Sequence, residues 1–206
     1  MHSQDQINTV MARKTPKRPS AGGELSIIGG DWRSRKLRFP DAGGVRPTPA
    51  RTRETLFNWL SFHLAGSHCL DLFAGSGALG LEALSRGAST AVFVDHTPAL
   101  AQALRSNLRL LNSESGEVAC QSIDSFLGKS PARPFDIVFM DPPFRQGWLE
   151  KLFPMIADNQ WVKPGSWIYV EHESGLPMPT APQGWNLLKQ KTAGQVAYCL
   201  FRVEGF

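Results

Sequence analysis

Cysteine is scarce in this 206-residue chain: Cys69, Cys120 and Cys199 are too few and too widely separated for a zinc module or a disulfide framework. Cys69 and Cys120 fall in apolar, strand-like runs, where a buried reduced thiol is the ordinary state. The five histidines (His2, His63, His68, His96, His172) show no metal-ligand spacing, so no metal is expected. No apolar run approaches the roughly 18 residues of a membrane helix. The first residues lack the apolar core of a secretory signal, and no internal repeat is visible. These absences exclude a disulfide scaffold, a membrane span and a repeat array, and they fit a cytoplasmic protein. What is present is a 42% hydrophobic composition, enough to fill the core of one α/β domain with a small appendage.

Charge divides the chain. Residues 1–60 hold 11 Lys/Arg against 5 Asp/Glu, whereas the remainder is slightly acidic within an overall charge of +4. A basic front end on a neutral-to-acidic body suits a polyanionic partner. Residues 1–22 are polar and aperiodic and read as a disordered basic tail. Residues 23–64 read as a basic N-terminal unit: a short β-hairpin with Arg33, Arg35, Lys36 and Arg38 on it, then a helix over 50–64. Arg46-Pro47-Thr48-Pro49 stops the hairpin, and Thr48 is placed to cap the helix with Pro49 at its first position. Leu56, Leu60 and Leu64 give that helix its apolar face.

From residue 65 to 206 strands and helices alternate. Strands are predicted at 68–73, 91–95, 117–122, 135–140 and 166–171, and helices at 78–87, 98–111 and 147–159, with Pro154 kinking or breaking the last. Two extended runs, 185–191 and 195–203, flank Thr192-Ala193-Gly194 as an antiparallel hairpin. The fold class expected is α/β: a Rossmann-like, mostly parallel seven-stranded sheet closed by that hairpin, the layout of class I methyltransferases.

The first chemical motif is Asp71-Leu72-Phe73-Ala74-Gly75-Ser76-Gly77-Ala78-Leu79-Gly80. Gly75, Gly77 and Gly80 form G-x-G-x-x-G between a strand and a helix, where backbone N–H groups can approach a ligand closely. Nicotinamide enzymes use the same pattern. Two acids shift the balance toward an adenosyl cofactor, S-adenosyl-L-methionine. Asp71 opens the motif with a carboxylate for the ligand's ammonium, and Asp95 ends the next strand with one for both ribose hydroxyls. Adenine is expected at Ser122-Ile123-Asp124, with Ile123 packing on the ring and Asp124 or Ser122 accepting from its amine. Asp124 as a mere helix cap is an equal reading.

The second motif, Asp141-Pro142-Pro143-Phe144, ends the buried strand Phe135–Met140. Prolines cannot donate hydrogen bonds, so their carbonyls are free to face a cavity. The Asp141 side chain and the Pro142 carbonyl can each accept one N–H of an exocyclic amine while Phe144 stacks on its ring. Holding both protons aims the nitrogen lone pair at a methyl donor, so orientation supplies much of the rate. Asp141 can also stabilise the developing charge or accept the proton. Alternatives with related motifs are a DNA adenine-N6 or protein-amide methyltransferase and a nicotinamide-dependent oxidoreductase. The last leaves Asp141–Phe144 without a role, and the DNA enzymes usually carry a recognition domain for which this chain is short. A non-catalytic RNA-binding assembly factor is disfavoured by the intact acids at 71, 95 and 141.

The chain resembles the bacterial RsmD family, the 16S ribosomal RNA guanine-N2 methyltransferases. The resemblance covers about residues 24–203 and rests on Ile27–Arg33, Arg46-Pro47-Thr48, Arg53–Leu60, Asp71–Gly80, Asp141–Arg145 and Ala193–Tyr198. It implies S-adenosyl-L-methionine as donor and the 2-amino group of guanine 966 as acceptor, within an assembled or partly assembled 30S subunit. Such a base must leave its stack to enter the pocket. The basic residues Arg33, Arg35, Lys36, Arg38, Arg46, Arg51, Arg53 and Arg145 would then bind ribosomal RNA, and a monomer is expected. Asp95 stands where relatives often carry Glu, which shortens its reach to the ribose.

Overall fold

The computed structural model describes residues 22–42 and 47–205. Residues 1–21 of the expected disordered tail, and Arg46, lie outside them. Strands β1 (Gly23–Ser26) and β2 (Lys36–Phe39) form an antiparallel hairpin in which Gly23 pairs with Phe39 and Ser26 with Lys36. Alternation explains its packing: Leu25, Leu37 and Phe39 point inward while Lys36 and Arg38 stay exposed.

Helix α1 (Ala50–Trp59) follows. It ends earlier than the leucine spacing predicts, and Leu60 and Leu64 reach the core from the turns after it. Its N-cap is Pro49, with no side-chain cap. Thr48 therefore does not cap the helix as expected. Its hydroxyl is committed to Asp141 across the cavity described below.

The central sheet contains β3 (His68–Leu72), β4 (Thr90–Asp95), β5 (Gly116–Cys120), β6 (Phe135–Met140), β7 (Val162–Glu173), β8 (Trp185–Ala193) and β9 (Val196–Val203). Their spatial order is β5-β4-β3-β6-β7-β9-β8. The first five pair in parallel, and β9 joins β7 and β8 antiparallel. The inner strands β3, β4 and β6 read as nearly continuous apolar runs because helices cover both of their faces.

The helices are α2 (Ala78–Ser85), α3 (Pro98–Leu110), α4 (Ile123–Leu127) and α5 (Trp148–Asp158). Pro154 does not break α5, which runs through it. The missing N–H leaves one carbonyl a turn earlier without its helical partner. Helix α5 is retained by tertiary packing, since Leu149, Leu152, Phe153 and Ile156 are all buried in one apolar cluster.

The N-terminal hairpin is integrated with the sheet. Leu25, Ile27, Leu37, Leu56 and Phe57 share a core cluster with Leu79, Leu81, Phe93 and Leu104. Glu82 on α2 is fully buried and clasps the arm: it accepts from the backbone N–H of Ile28 (2.9 Å) and Gly29 (2.8 Å), and from Arg53 (3.3 Å) and Arg86 (2.8 Å). Gly30 completes the contact, because a Cβ there would collide with the carbonyl of Ser85.

Candidate active site

Four parallel strands each end in or near an acid, three of them buried and Asp141 half-buried. In sheet order these are Asp95 on β4, Asp71 on β3, Asp141 just after β6 and Glu171 on β7. All four line one cavity of about 800 Å³ outside the carboxyl edge of the sheet. The chain runs from β3 outward to β4 and returns to β6 on the other side of β3, so the cavity lies at the switch point where open α/β sheets place their ligands.

The glycine turn is shaped as its sequence demands. Gly77 has φ 79°, and a Cβ on it would clash with Leu104. Gly80 lets α2 pack onto Phe93 of β4. These two glycines shape the turn, while Asp71, Phe73, Ala74, Gly75 and Ser76 line the cavity. Phe73 has φ 61°, a left-handed conformation that costs a bulky residue energy and that the surrounding structure must hold. Its ring meets Trp148 edge-on at 5.0 Å.

Both sequence-predicted acids of the turn also brace it. Asp71 accepts from the N–H of Gly80 at 2.8 Å. Burial is the main reason its carboxyl is pushed up to about 7, with Asp141 and Asp95 adding repulsion. Asp95 accepts from Gly75 N–H (2.9 Å) with one oxygen and from Thr97 N–H (2.8 Å) with the other. Each carboxylate oxygen keeps a second lone pair for a ligand hydroxyl.

Of the three expected adenine contacts, only Ile123 lines the cavity. Ser122 is turned to α4, where its hydroxyl accepts from Ser125 N–H at 3.2 Å. Asp124 is drawn outward to Lys151 at 2.6 Å. The cap of α4 is thus Ser122 rather than Asp124, and neither residue is placed as the amine acceptor.

Asp141, Pro142, Pro143 and Phe144 all line the same cavity. The Asp141 carboxylate accepts from the Thr48 hydroxyl at 3.5 Å, and burial raises it to about 6. Sequence reasoning missed Thr48 as a site residue and missed Glu171 altogether. Glu171 is 4% exposed and accepts from the Tyr169 hydroxyl at 2.8 Å. Burial, then the charge of Asp141, push it up to about 8. Its only sequence signal is an acid directly after the apolar run Trp167–Val170, near a strand end like Asp71 and Asp141.

The basic residues separate into two groups. Arg33, Arg35, Lys36, Arg38, Arg51 and Arg145 are exposed. Lys36 pairs with Glu24 at 3.0 Å, and Arg35 donates to the Leu110 carbonyl at 3.2 Å. Arg53 is different and corrects the expectation that it meets RNA: it is 4% exposed. Its guanidinium binds Glu82, the Ser26 carbonyl (3.0 Å) and the Thr48 carbonyl (3.1 Å). It thereby fixes the backbone that carries the Thr48 hydroxyl to Asp141.

Known proteins share this architecture. The family model described as "Conserved hypothetical protein 95" matches residues 25–202. Ribosomal RNA small subunit methyltransferase D of Escherichia coli K12 is 48% identical over 185 residues, covering 90% of this chain and 93% of that protein. The Haemophilus influenzae protein of the same name is 46% identical over 187 residues, with 89% and 96% covered. The solved structure of Escherichia coli yhhF superposes with a TM-score of 0.84 at 46% identity, covering 89% of this chain and all of that one. With the motifs, the fold and these relatives in agreement, the chain belongs to the RsmD family, that of ribosomal RNA small subunit methyltransferase D.

Proposed function

We propose that this protein transfers a methyl group from S-adenosyl-L-methionine to the N2 amine of a guanine in 16S ribosomal RNA, the family resemblance implying guanine 966, within the small subunit. The observation that carries this reading is the single cavity shared by the glycine turn after β3 and the Asp141–Phe144 loop after β6. Its volume of about 800 Å³ lies within the roughly 300–1,000 Å³ usual for small-molecule sites.

The residues present suit the donor. Asp71 is a buried acid whose ionised form a nearby ammonium would favour. Asp95 has spare lone pairs for ribose hydroxyls, and Ile123 and Leu100 offer apolar surface to a purine. When bound, the donor supplies an electrophilic methyl carbon on a sulfonium. The chain's own contribution is to hold the acceptor. Asp141 accepts one amine N–H, the Pro142 carbonyl is available for the other, and Phe144, 37% exposed, offers a ring face. As nitrogen gains positive charge, Asp141 stabilises it and is poised near neutrality to take its proton.

The substrate class rests on the relatives' names and on the exposed cations of the hairpin and α1. The test is labelled methyl transfer to small subunits from a strain lacking this gene. Asp141→Ala is expected to lower kcat/KM by about 100-fold or more while S-adenosylhomocysteine still binds within about threefold of wild type. Near-normal turnover by Asp141→Ala would overturn the clamp.

A further inference from the structure

Glu171 has no part in the chemistry described so far, yet it is placed where the acceptor base must lie. Strand β7 runs parallel to β6, with Val170 opposite Met140, so Glu171 follows in register with Asp141. Both side chains line the cavity. They share one neighbour, the Thr48 hydroxyl, which donates to Asp141 and also interacts with Glu171. Among the described residues no Lys or Arg forms an ion pair with either acid. Two carboxyls side by side without a cation, Glu171 buried and Asp141 half-buried, are costly in the folded protein. A ligand with two adjacent N–H donors relieves that cost.

Guanine has such an edge, because its N1–H adjoins the 2-amino group. Adenine instead pairs its amine with a bare ring nitrogen, which a carboxylate repels. We propose that Glu171 is the specificity-determining residue for the acceptor base, accepting the N1–H of guanine while Asp141 holds the 2-amino group. This rests on the guanine-N2 reading and sharpens it. The incoming N1–H favours the ionised form of Glu171, offsetting the burial that pushes it up to about 8. Tyr169 holds the carboxyl in place through its hydroxyl. A site that buries an acceptor for a substrate N–H discriminates strongly against an analogue lacking it, because the acceptor is then left unpaired.

The test replaces the target guanine in reconstituted small subunits by 2,6-diaminopurine, which keeps the 2-amino group and replaces N1–H by a bare nitrogen. The wild-type protein is expected to prefer guanine by about 100-fold or more in kcat/KM. Glu171→Gln, whose amide can donate to the bare nitrogen, is expected to reduce that preference to within about tenfold, with S-adenosylhomocysteine affinity unchanged. Glu171→Asp is expected to keep the preference at a reduced kcat/KM. A Glu171→Gln protein that retains the wild-type preference overturns the proposal. If that variant does not fold, Glu171→Asp decides, and an unchanged kcat/KM for guanine overturns it. Wild-type protein that methylates neither base at the 2-amino group would defeat the guanine-N2 reading itself, a result distinct from either.

Discussion

At the scale of single residues, three acids stand out because burial holds protons on them. Asp71 is raised to about 7, Asp141 to about 6 and Glu171 to about 8. The unfolded chain releases those protons near pH 4, so the folded chain binds more protons between there and pH 8. Stability from these groups is fully present below pH 4 and is lost as pH rises through 6 to 8. Asp136 is shifted the opposite way and has finished titrating below that window, while His63, His68 and His172, all lowered chiefly by burial, offset part of the loss as pH rises through the ordinary histidine range. The ligand-free protein is therefore expected to melt roughly 5–10 °C lower at pH 8.5 than at pH 5. Differential scanning calorimetry checks this, and a melting temperature that rises over the interval would contradict it. Saturating S-adenosylhomocysteine should flatten the fall if its ammonium meets Asp71, because the ionised carboxylate is then the favoured form. The motif acids Asp71, Asp95 and Asp141 were legible in the sequence because each belongs to a local pattern. Glu171 and Thr48 were not, because they gain significance only when a neighbouring strand and the N-terminal arm are folded against Asp141.

At the scale of elements, the connection that matters joins the N-terminal arm to α2. Arg53 is fully engaged by Glu82, Ser26 and Thr48, and Glu82 is in turn engaged by Ile28, Gly29 and Arg86. Removing the guanidinium leaves the Ser26 and Thr48 carbonyls without their donor and Glu82 with Arg86 as its one remaining cation, so Arg53→Ala is expected to destabilise the protein by about 2–4 kcal/mol. Denaturant unfolding measures this, and a loss under about 1 kcal/mol would show that the clasp is not structural. Because Arg53 also fixes the Thr48 carbonyl, kcat is expected to fall in protein that remains folded at low temperature. The sequence placed Arg53 among the RNA-binding cations since charge on an amphipathic helix is ordinarily solvated. Its partner is 29 positions away, and no local pattern reveals it. The sheet and the α2 and α3 helices were legible for the opposite reason: continuous apolar runs, glycine stops and Thr97-Pro98 are local signals. The outward turn of Asp124 was hidden on the same ground as the burial of Arg53, since Lys151, which draws it away, lies on a helix 27 residues later, while Ile123 lines the cavity as its apolar side chain suggested.

At the scale of the whole molecule, charge and cavity belong together. The described cations of the arm and α1 are mostly exposed, whereas the cavity is lined by acids. Such a division suits a protein that grips phosphates at a distance from the base it modifies. Reversing Arg35 and Lys36 together to Glu is expected to weaken small-subunit binding by about tenfold or more and to reduce its salt dependence. Binding of S-adenosylhomocysteine should be unaffected, and equal loss of both would contradict this division of labour.

The central claim, that the acceptor is a guanine amine held against the donor, is tested most directly by the product. Small subunits from a strain lacking this gene are incubated with the protein and labelled S-adenosyl-L-methionine, and their 16S RNA is digested to nucleosides. Label in N2-methylguanosine, at one site and absent with Asp141→Ala, is the expected result. Label in any other nucleoside, or none in the presence of bound donor, would contradict the account.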